Sequence, residues 1–266
     1  MATEEVMITA GVAASAYVAQ QLFGKTLAEM GDDLNKIYKK GRDKLVENAA
    51  KKVANHDDGE IPNLRVARDV IWNGAVTEDE VCAEYFGGIL AASRSLDGKD
   101  DSALIYDDCI KALSAKQLHL HHIIYSSIHN LLLKANKKIN PGLDTDLAKS
   151  EVWFAALELQ NHLNLNALID LNVLHRQGLI GSYAMDTHLM GEKSLPYAKA
   201  TPTTFGVLLY AASLNSLSKW QLFGQTEYLK AENISLAHFF TATLAELCIV
   251  AGMPTETTAT ISNPTT

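Results

Sequence analysis

The chain contains few cysteines and prolines for its length, three and six respectively among 266 residues. Cys82, Cys109 and Cys248 lie far apart, and none of them forms the CxxC spacing typical of zinc or redox sites. A chain of this length buries enough surface to fold without disulfides. The cysteine pattern therefore predicts reduced thiols and a cytoplasmic location.

An excess of positive charge is lacking as well. The formal net charge is −8, which excludes the molecule as a whole as an electrostatic partner for nucleic acid. The charges are nevertheless segregated along the chain. Residues 36–52 carry seven basic and two acidic side chains, whereas residues 57–108 carry thirteen acidic and four basic ones.

The apolar run VMITAGVAASAYVA, at 6–19, is shorter than the roughly 20 residues that a membrane-spanning helix needs. Glu4 and Glu5 precede it, in the place where an export signal carries positive charge. We therefore expect no export, and a helix that is buried or faces a partner.

Residues 36–52 have the pattern of an amphipathic helix with one basic and one apolar face. An anionic membrane surface attracts such a helix, and each nearby Lys or Arg contributes on the order of 1 kcal/mol. The segment is a candidate binding site for lipid or another anionic partner through Lys36, Lys39, Lys40, Lys44, Lys51 and Lys52. In the alternative interpretation, these lysines pair with the acidic region 57–108, within one chain or in a homo-oligomer.

Two capping boxes indicate helix starts: Thr77 with Glu80, and Ser114 with Gln117. A shorter helix is expected over 102–112. Further along, two helices at 145–160 and 162–177 precede a strand in GLIGSYAM, and a second strand and a helix follow within 194–213. A last helix is expected at about 235–251.

The order helix, helix, strand, loop, strand, helix is that of a winged helix. The predicted fold class is therefore mainly α, with a multi-helix N-terminal region followed by a winged-helix-like module with a small β-hairpin wing. The predicted units are N-terminal helices at 1–55, a helical core at 56–140, the winged-helix-like module at 141–218, a C-terminal helical segment at 219–252 and a disordered tail at 253–266.

Three separated blocks carry a likeness to a known family. The first is LFGKTLAEMGDDLNKIYKKGRDKLVENAAKKV, the second is EDEVCAEYFGGILAASRSLDG, and the third pairs LIDLNVLHRQGLIG with ATPTTFGVLLYAA. In this order, they resemble the Abi-alpha family of bacterial proteins linked to abortive infection and phage defence. The resemblance implies a role in antiviral defence and brings no catalytic motif with it.

Chemistry-bearing motifs are scarce. The sequence has no GxSxG elbow, HExxH pair, phosphate-binding GxxxxGK or GxGxxG, so we predict a non-enzymatic protein without a cofactor. LHLHHIIYSSIH contains the histidine cluster His119, His121, His122 and His129, but no carboxylate or cysteine in that helix completes a metal site. We expect these histidines to bond to backbone or carboxylate groups across a packing interface, and predict no metal site.

Residues 161–218 carry three basic and three acidic side chains, which argues against nucleic acid as the partner of the winged-helix-like module. We expect a sensor or adaptor in phage defence that contacts a phage-derived component or a second defence protein. The alternatives are a peripheral lipid-binding protein that uses the basic helix 36–52, and a winged-helix DNA-binding regulator.

Overall fold

A computed structural model describes residues 38–55, 58–77, 79–229 and 240–253. The first half of this part is helical. Helix α1 covers 38–51 and is followed by α2 (Leu64–Gly74), α3 (Glu80–Ala92), α4 (Leu104–Lys111) and α5 (Ala115–Lys134). The short strands β1 (Ile61–Pro62) and β2 (Arg94–Ser95) form an antiparallel pair that closes the α2–α3 unit.

The second half combines helices with a four-stranded sheet. Its elements are α6 (Asp144–Leu147), β3 (Val152–Ala155), α7 (Ala156–Leu163), α8 (Ala167–Arg176), β4 (Ile180–Met190), β5 (Lys193–Pro202), α9 (Thr204–Ser213), a 3-10 helix (Leu217–Leu222), β6 (Phe240–Thr241) and α10 (Leu244–Val250). The strand order is β4-β5-β3-β6, and each neighbouring pair is antiparallel.

The predicted fold class is wrong. The described residues are 55% helix and 15% strand, which makes a mixed α/β fold and not a mainly α chain with a small hairpin wing. β4 and β5 are 11 and 10 residues long, and β3 and β6 extend their sheet. β3 lies where the sequence predicts a helix, at 145–160. The sequence pattern misses the strand because VWFA is a short apolar run without the alternation that marks a half-buried strand.

Helix α5 begins as predicted. Ser114 Oγ accepts from the Gln117 backbone N–H at 3.3 Å, and Gln117 Oε1 accepts from the Ser114 N–H at 2.9 Å. The predicted Thr77–Glu80 box is wrong, since Asp79 caps α3 by accepting from the Cys82 N–H at 2.9 Å. Thr77 Oγ1 instead accepts from the Asp79 N–H at 3.3 Å, one step before the helix.

Helix α3 lies at the centre of the helical part, where two adjacent glycines let other helices approach it. A Cβ on Gly87 would lie 2.9 Å from Asn48 Cβ of α1, and a Cβ on Gly88 would lie 2.0 Å from the Ser213 carbonyl oxygen of α9. One buried cluster extends from Leu45 of α1 to Phe240 of β6. None of the helices in the described ranges is long and apolar enough to cross a membrane.

Candidate functional site

The predicted basic face of α1 is placed against α3 over part of its length. Lys44 Nζ lies 3.4 Å from Glu80 Oε1, and Lys52, whose side chain is only 12% exposed, forms an ion pair with Glu84. Lys51 pairs with Glu47 of its own helix at 2.8 Å. The pairs with Glu80 and Glu84 match the alternative in which the lysines pair with the acidic region 57–108 of the same chain, whereas Glu47 lies outside that region.

Two lysines of the candidate site, Lys39 and Lys40, are exposed near the beginning of the described part of α1. Lys36 lies outside the described residues. The opposite face of α1 is buried as its apolar pattern predicts, since Leu45 and Ala49 are buried in the main core. The binding site for lipid or another anionic partner therefore stays a prediction. Three of its five described lysines, Lys44, Lys51 and Lys52, form ion pairs within the chain.

Two of the four clustered histidines of α5, His119 and His129, bond to carboxylate or backbone groups as the sequence predicts. His119 Nε2 lies 3.1 Å from both carboxylate oxygens of Asp79, across the α3–α5 interface. His129 Nδ1 accepts from the Gly224 N–H at 3.0 Å, and its Nε2 lies 3.2 Å from the Leu229 carbonyl oxygen. In the described ranges, no group of three or more His, Cys, Asp or Glu residues is arranged to hold a metal ion.

His121 is fully buried beside two tyrosines. Its Nδ1 hydrogen-bonds with Tyr85 Oη at 2.6 Å, and its ring centroid lies 4.5 Å from that of Tyr125. Burial lowers the pKa of His121 to about 3, with a smaller contribution from the nearby His122. The imidazole is therefore neutral at physiological pH.

Tyr125 joins α5 to the two parts of the third resemblance block. Its hydroxyl donates to the Leu179 carbonyl at 2.5 Å and accepts from the Thr203 N–H at 3.0 Å. Thr203 caps α9 by accepting from the Gly206 N–H, and its own hydroxyl donates to the Gly178 carbonyl at 2.7 Å. We call the residues Tyr125, Gly178, Leu179, Thr203 and Gly206 the Tyr125 junction.

The cysteines lie in surroundings that disfavour nucleophilic chemistry. All three are buried. Burial raises the pKa of Cys82 to about 12, with a further contribution from Asp79, and it raises the pKa of Cys109 to about 11. Since the thiolate is the reactive form, these two side chains act as core residues.

A surface that the sequence did not single out lies on α8. Its members are exposed and share one side of the helix: Leu168, Ile169, Asn172 and Arg176. We call them the α8 surface. Leu168 is 54% exposed and Ile169 is 59% exposed, whereas the opposite side of the helix is buried.

Arg176 is the basic member of the α8 surface, and Asp170 of the same helix does not oppose it there. Asp170 is turned inward, where it accepts from Gln117 Nε2 at 2.8 Å and from the Asn166 N–H at 3.0 Å. Arginine is enriched at protein interfaces, and the two aliphatic side chains beside it lose contact with water when a partner covers them. Affinity for DNA depends on many cations, so it gains little from this surface.

Comparison of the chain with protein-family models, with curated proteins and with solved structures gives no match.

Proposed function

We propose that this protein is a non-enzymatic bacterial phage-defence protein of the Abi-alpha type that acts in the cytoplasm as a sensor or adaptor. In this role, it contacts a phage-derived component or a second defence protein through the α8 surface. The contact through this surface rests on the exposure of Leu168 and Ile169 beside Arg176, on a helix whose other side is buried. The role in defence rests on the resemblance of the three sequence blocks.

The residues of the family resemblance support the same proposal, because they contact one another or a shared partner. The first block contains α1 and the second contains α3, which meet at Gly87. The two parts of the third block meet at the Tyr125 junction. Blocks that are distant in the sequence thus belong to one packed unit, as expected if the resemblance reflects a shared fold.

The α8 surface favours a protein partner over a charged polymer or membrane. Exposed aliphatic side chains lose contact with water when a partner covers them, and arginine is enriched among the residues that dominate binding energy. The lysines of α1 support a membrane role less well, since Lys44 and Lys52 already pair with α3. Lipid binding is therefore the secondary candidate.

The role in defence is tested by plating a panel of phages on hosts that carry the gene, alone and with its genomic neighbours. We expect fewer plaques than on a host with the empty vector for at least one phage. Unchanged plating across the whole panel, with the protein present at a detectable level, contradicts the proposal.

The choice between protein and lipid is tested by flotation with anionic vesicles at low salt. We expect the protein to remain in the unfloated fraction, and to behave in the same way after Lys39→Glu and Lys40→Glu are introduced together. Flotation that these two changes abolish would favour the lipid-binding candidate over the adaptor.

A further inference from the structure

Strand β4 lies at the edge of the four-stranded sheet. Within the part of the chain that the structure describes, β5 is the only strand that pairs with it. After an irregularity between Ile180 and Tyr183, the pairing continues without interruption from Tyr183 to Met190. An edge of this length presents a row of backbone N–H and C=O groups to which another strand can bond.

The beginning of β4 is covered from the side of α8. Asn172 Nδ2 donates to Tyr183 Oη at 2.8 Å, and His175 Nδ1 lies 3.2 Å from the Ile180 carbonyl oxygen. Residues 184–190 continue beyond these contacts, and Leu189 is 70% exposed. Within Ile180–Met190, Asp186 is the single carboxylate, and His188 is the single basic side chain.

The residues around Thr187 complement themselves when the strand is read in both directions. In an antiparallel pairing of β4 with a second β4, centred on Thr187, Asp186 faces His188, Met185 faces Leu189 and Ala184 faces Met190. Two-fold symmetry produces every one of these pairs twice. The charged carboxylate that would protect a free edge thus meets an imidazole donor, and the exposed Leu189 meets a methionine.

We propose that β4 is a homodimer interface, in which residues 184–190 pair antiparallel with the same strand of a second copy of this chain about a two-fold axis at Thr187. The pairing joins two four-stranded sheets into one continuous sheet. In a single chain, Asp186 Oδ1 accepts from the neighbouring Thr187 N–H at 2.7 Å. In the dimer, the carboxylate exchanges this local contact for the imidazole of the partner copy.

A charge exchange tests the register. Asp186→His alone places two imidazoles opposite each other, and His188→Asp alone places two carboxylates opposite each other. Each change alters both symmetric pairs, so we expect each to raise the dimer dissociation constant about tenfold or more. The double variant Asp186→His/His188→Asp restores the pairing and should return the constant to the wild-type range, as measured by sedimentation velocity over a concentration series.

A cysteine placed at the symmetry axis provides an independent test. Directly opposite residues of an antiparallel pair have Cα atoms about 4.5–5.5 Å apart, which is within the range that a disulfide spans. Mild oxidation of the Thr187→Cys variant should therefore yield a covalent dimer. Ser194→Cys is the matched control, since Ser194 is exposed in the same hairpin but lies on β5. The native cysteines are buried.

Dimerisation with rescue by the double variant, and cross-linking at position 187 but not at 194, supports the proposal. A full-length protein that stays monomeric over the whole concentration range overturns it. So does a dimer that is insensitive to both single changes, because that dimer uses another surface. Circular dichroism of each variant checks that the exchange leaves the fold intact.

Discussion

Position 206 requires glycine because Tyr125 approaches its backbone closely. A Cβ at position 206 would lie 1.9 Å from Tyr125 Oη and 2.3 Å from the Leu179 carbonyl oxygen. Neither neighbour has room to move, since the hydroxyl bonds to both Leu179 and Thr203. The smallest possible side chain is thus a condition for the Tyr125 junction.

Gly206→Ala should lower the free energy of unfolding by about 2–4 kcal/mol, because the added methyl group forces the junction apart. Urea unfolding followed by circular dichroism measures the loss. Gly142→Ala is the control, since the nearest atom to its added Cβ would be Asn140 Oδ1 at 3.2 Å and the site is exposed. A similar effect of both changes would mean that the junction does not constrain position 206.

His121 makes the stability of the fold depend on pH. Burial lowers the pKa of His121 to about 3, whereas an unfolded histidine titrates near 6.5. Below about pH 6.5, the unfolded chain therefore binds a proton that the folded chain does not. As the pH decreases below that value, His121 alone should lower the free energy of unfolding by on the order of 1 kcal/mol per pH unit.

His121→Asn should reduce this pH dependence between about pH 7 and 5, although the variant is less stable at neutral pH because its packing against Tyr125 is lost. Urea unfolding at several pH values gives the difference between wild type and variant, in which the other titrating groups cancel. His162→Asn, at an exposed position, should keep the wild-type slope. An unchanged slope in His121→Asn would contradict the account.

At the scale of single elements, the start of α3 depends on Asp79. Its carboxylate accepts from the Cys82 N–H at 2.9 Å and lies 3.1 Å from His119 Nε2. Burial alone would raise the pKa of Asp79, but the Cys82 N–H and His119 together lower it. Asp79 therefore stabilises the fold above its ordinary pKa, and this contribution disappears as the pH falls through the lowered value.

Asp79→Ala should cost about 1–2 kcal/mol at neutral pH, since it removes both the helix cap and the contact with His119. Thr77→Ala, the change at the position that the sequence pattern favours as the cap, should cost less than about 0.5 kcal/mol. Thermal or urea unfolding ranks the two variants. The reverse order would show that Thr77 caps the helix.

The helix starts differ in how well local sequence predicts them. Ser114 and Gln117 act within one turn of α5, so the capping box is readable without the fold. At α3, Asp79 and not Thr77 caps the helix, and its carboxylate also lies 3.1 Å from His119 of another helix, a contact that no local pattern contains. The sheet has the same difficulty, since VWFA becomes a strand through its pairing with β5.

The candidate site shows the same division between local and distant information. The periodicity of α1 predicts which residues are buried, and Leu45 and Ala49 confirm it. The partners of Lys44 and Lys52 come from α3, at 36 and 32 residues' distance along the chain. The α8 surface also escaped prediction, because the pattern of α8 does not reveal which of its leucines and isoleucines the rest of the fold covers.

At the scale of the whole molecule, the basic segment 36–52 and the acidic region 57–108 partly pair with each other. Glu80 and Glu84 of the acidic region pair with Lys44 of α1 and with Lys52 just after it, so part of the basic charge is balanced within the chain. The α8 surface combines two exposed aliphatic side chains with Asn172 and Arg176, and this is where we propose that a partner binds.

The central claim is that the protein defends its host by contacting a partner through the α8 surface. It is tested most directly by the efficiency of phage plating on hosts that produce the wild type, Ile169→Asp or Ile105→Asp at equal levels. Ile105 is the matched control, because it is an exposed isoleucine on a different helix, α4. We expect phage to plate on the Ile169→Asp host as on the empty-vector host, whereas Ile105→Asp should protect like the wild type. Full protection by Ile169→Asp, with the variant folded and abundant, would contradict it.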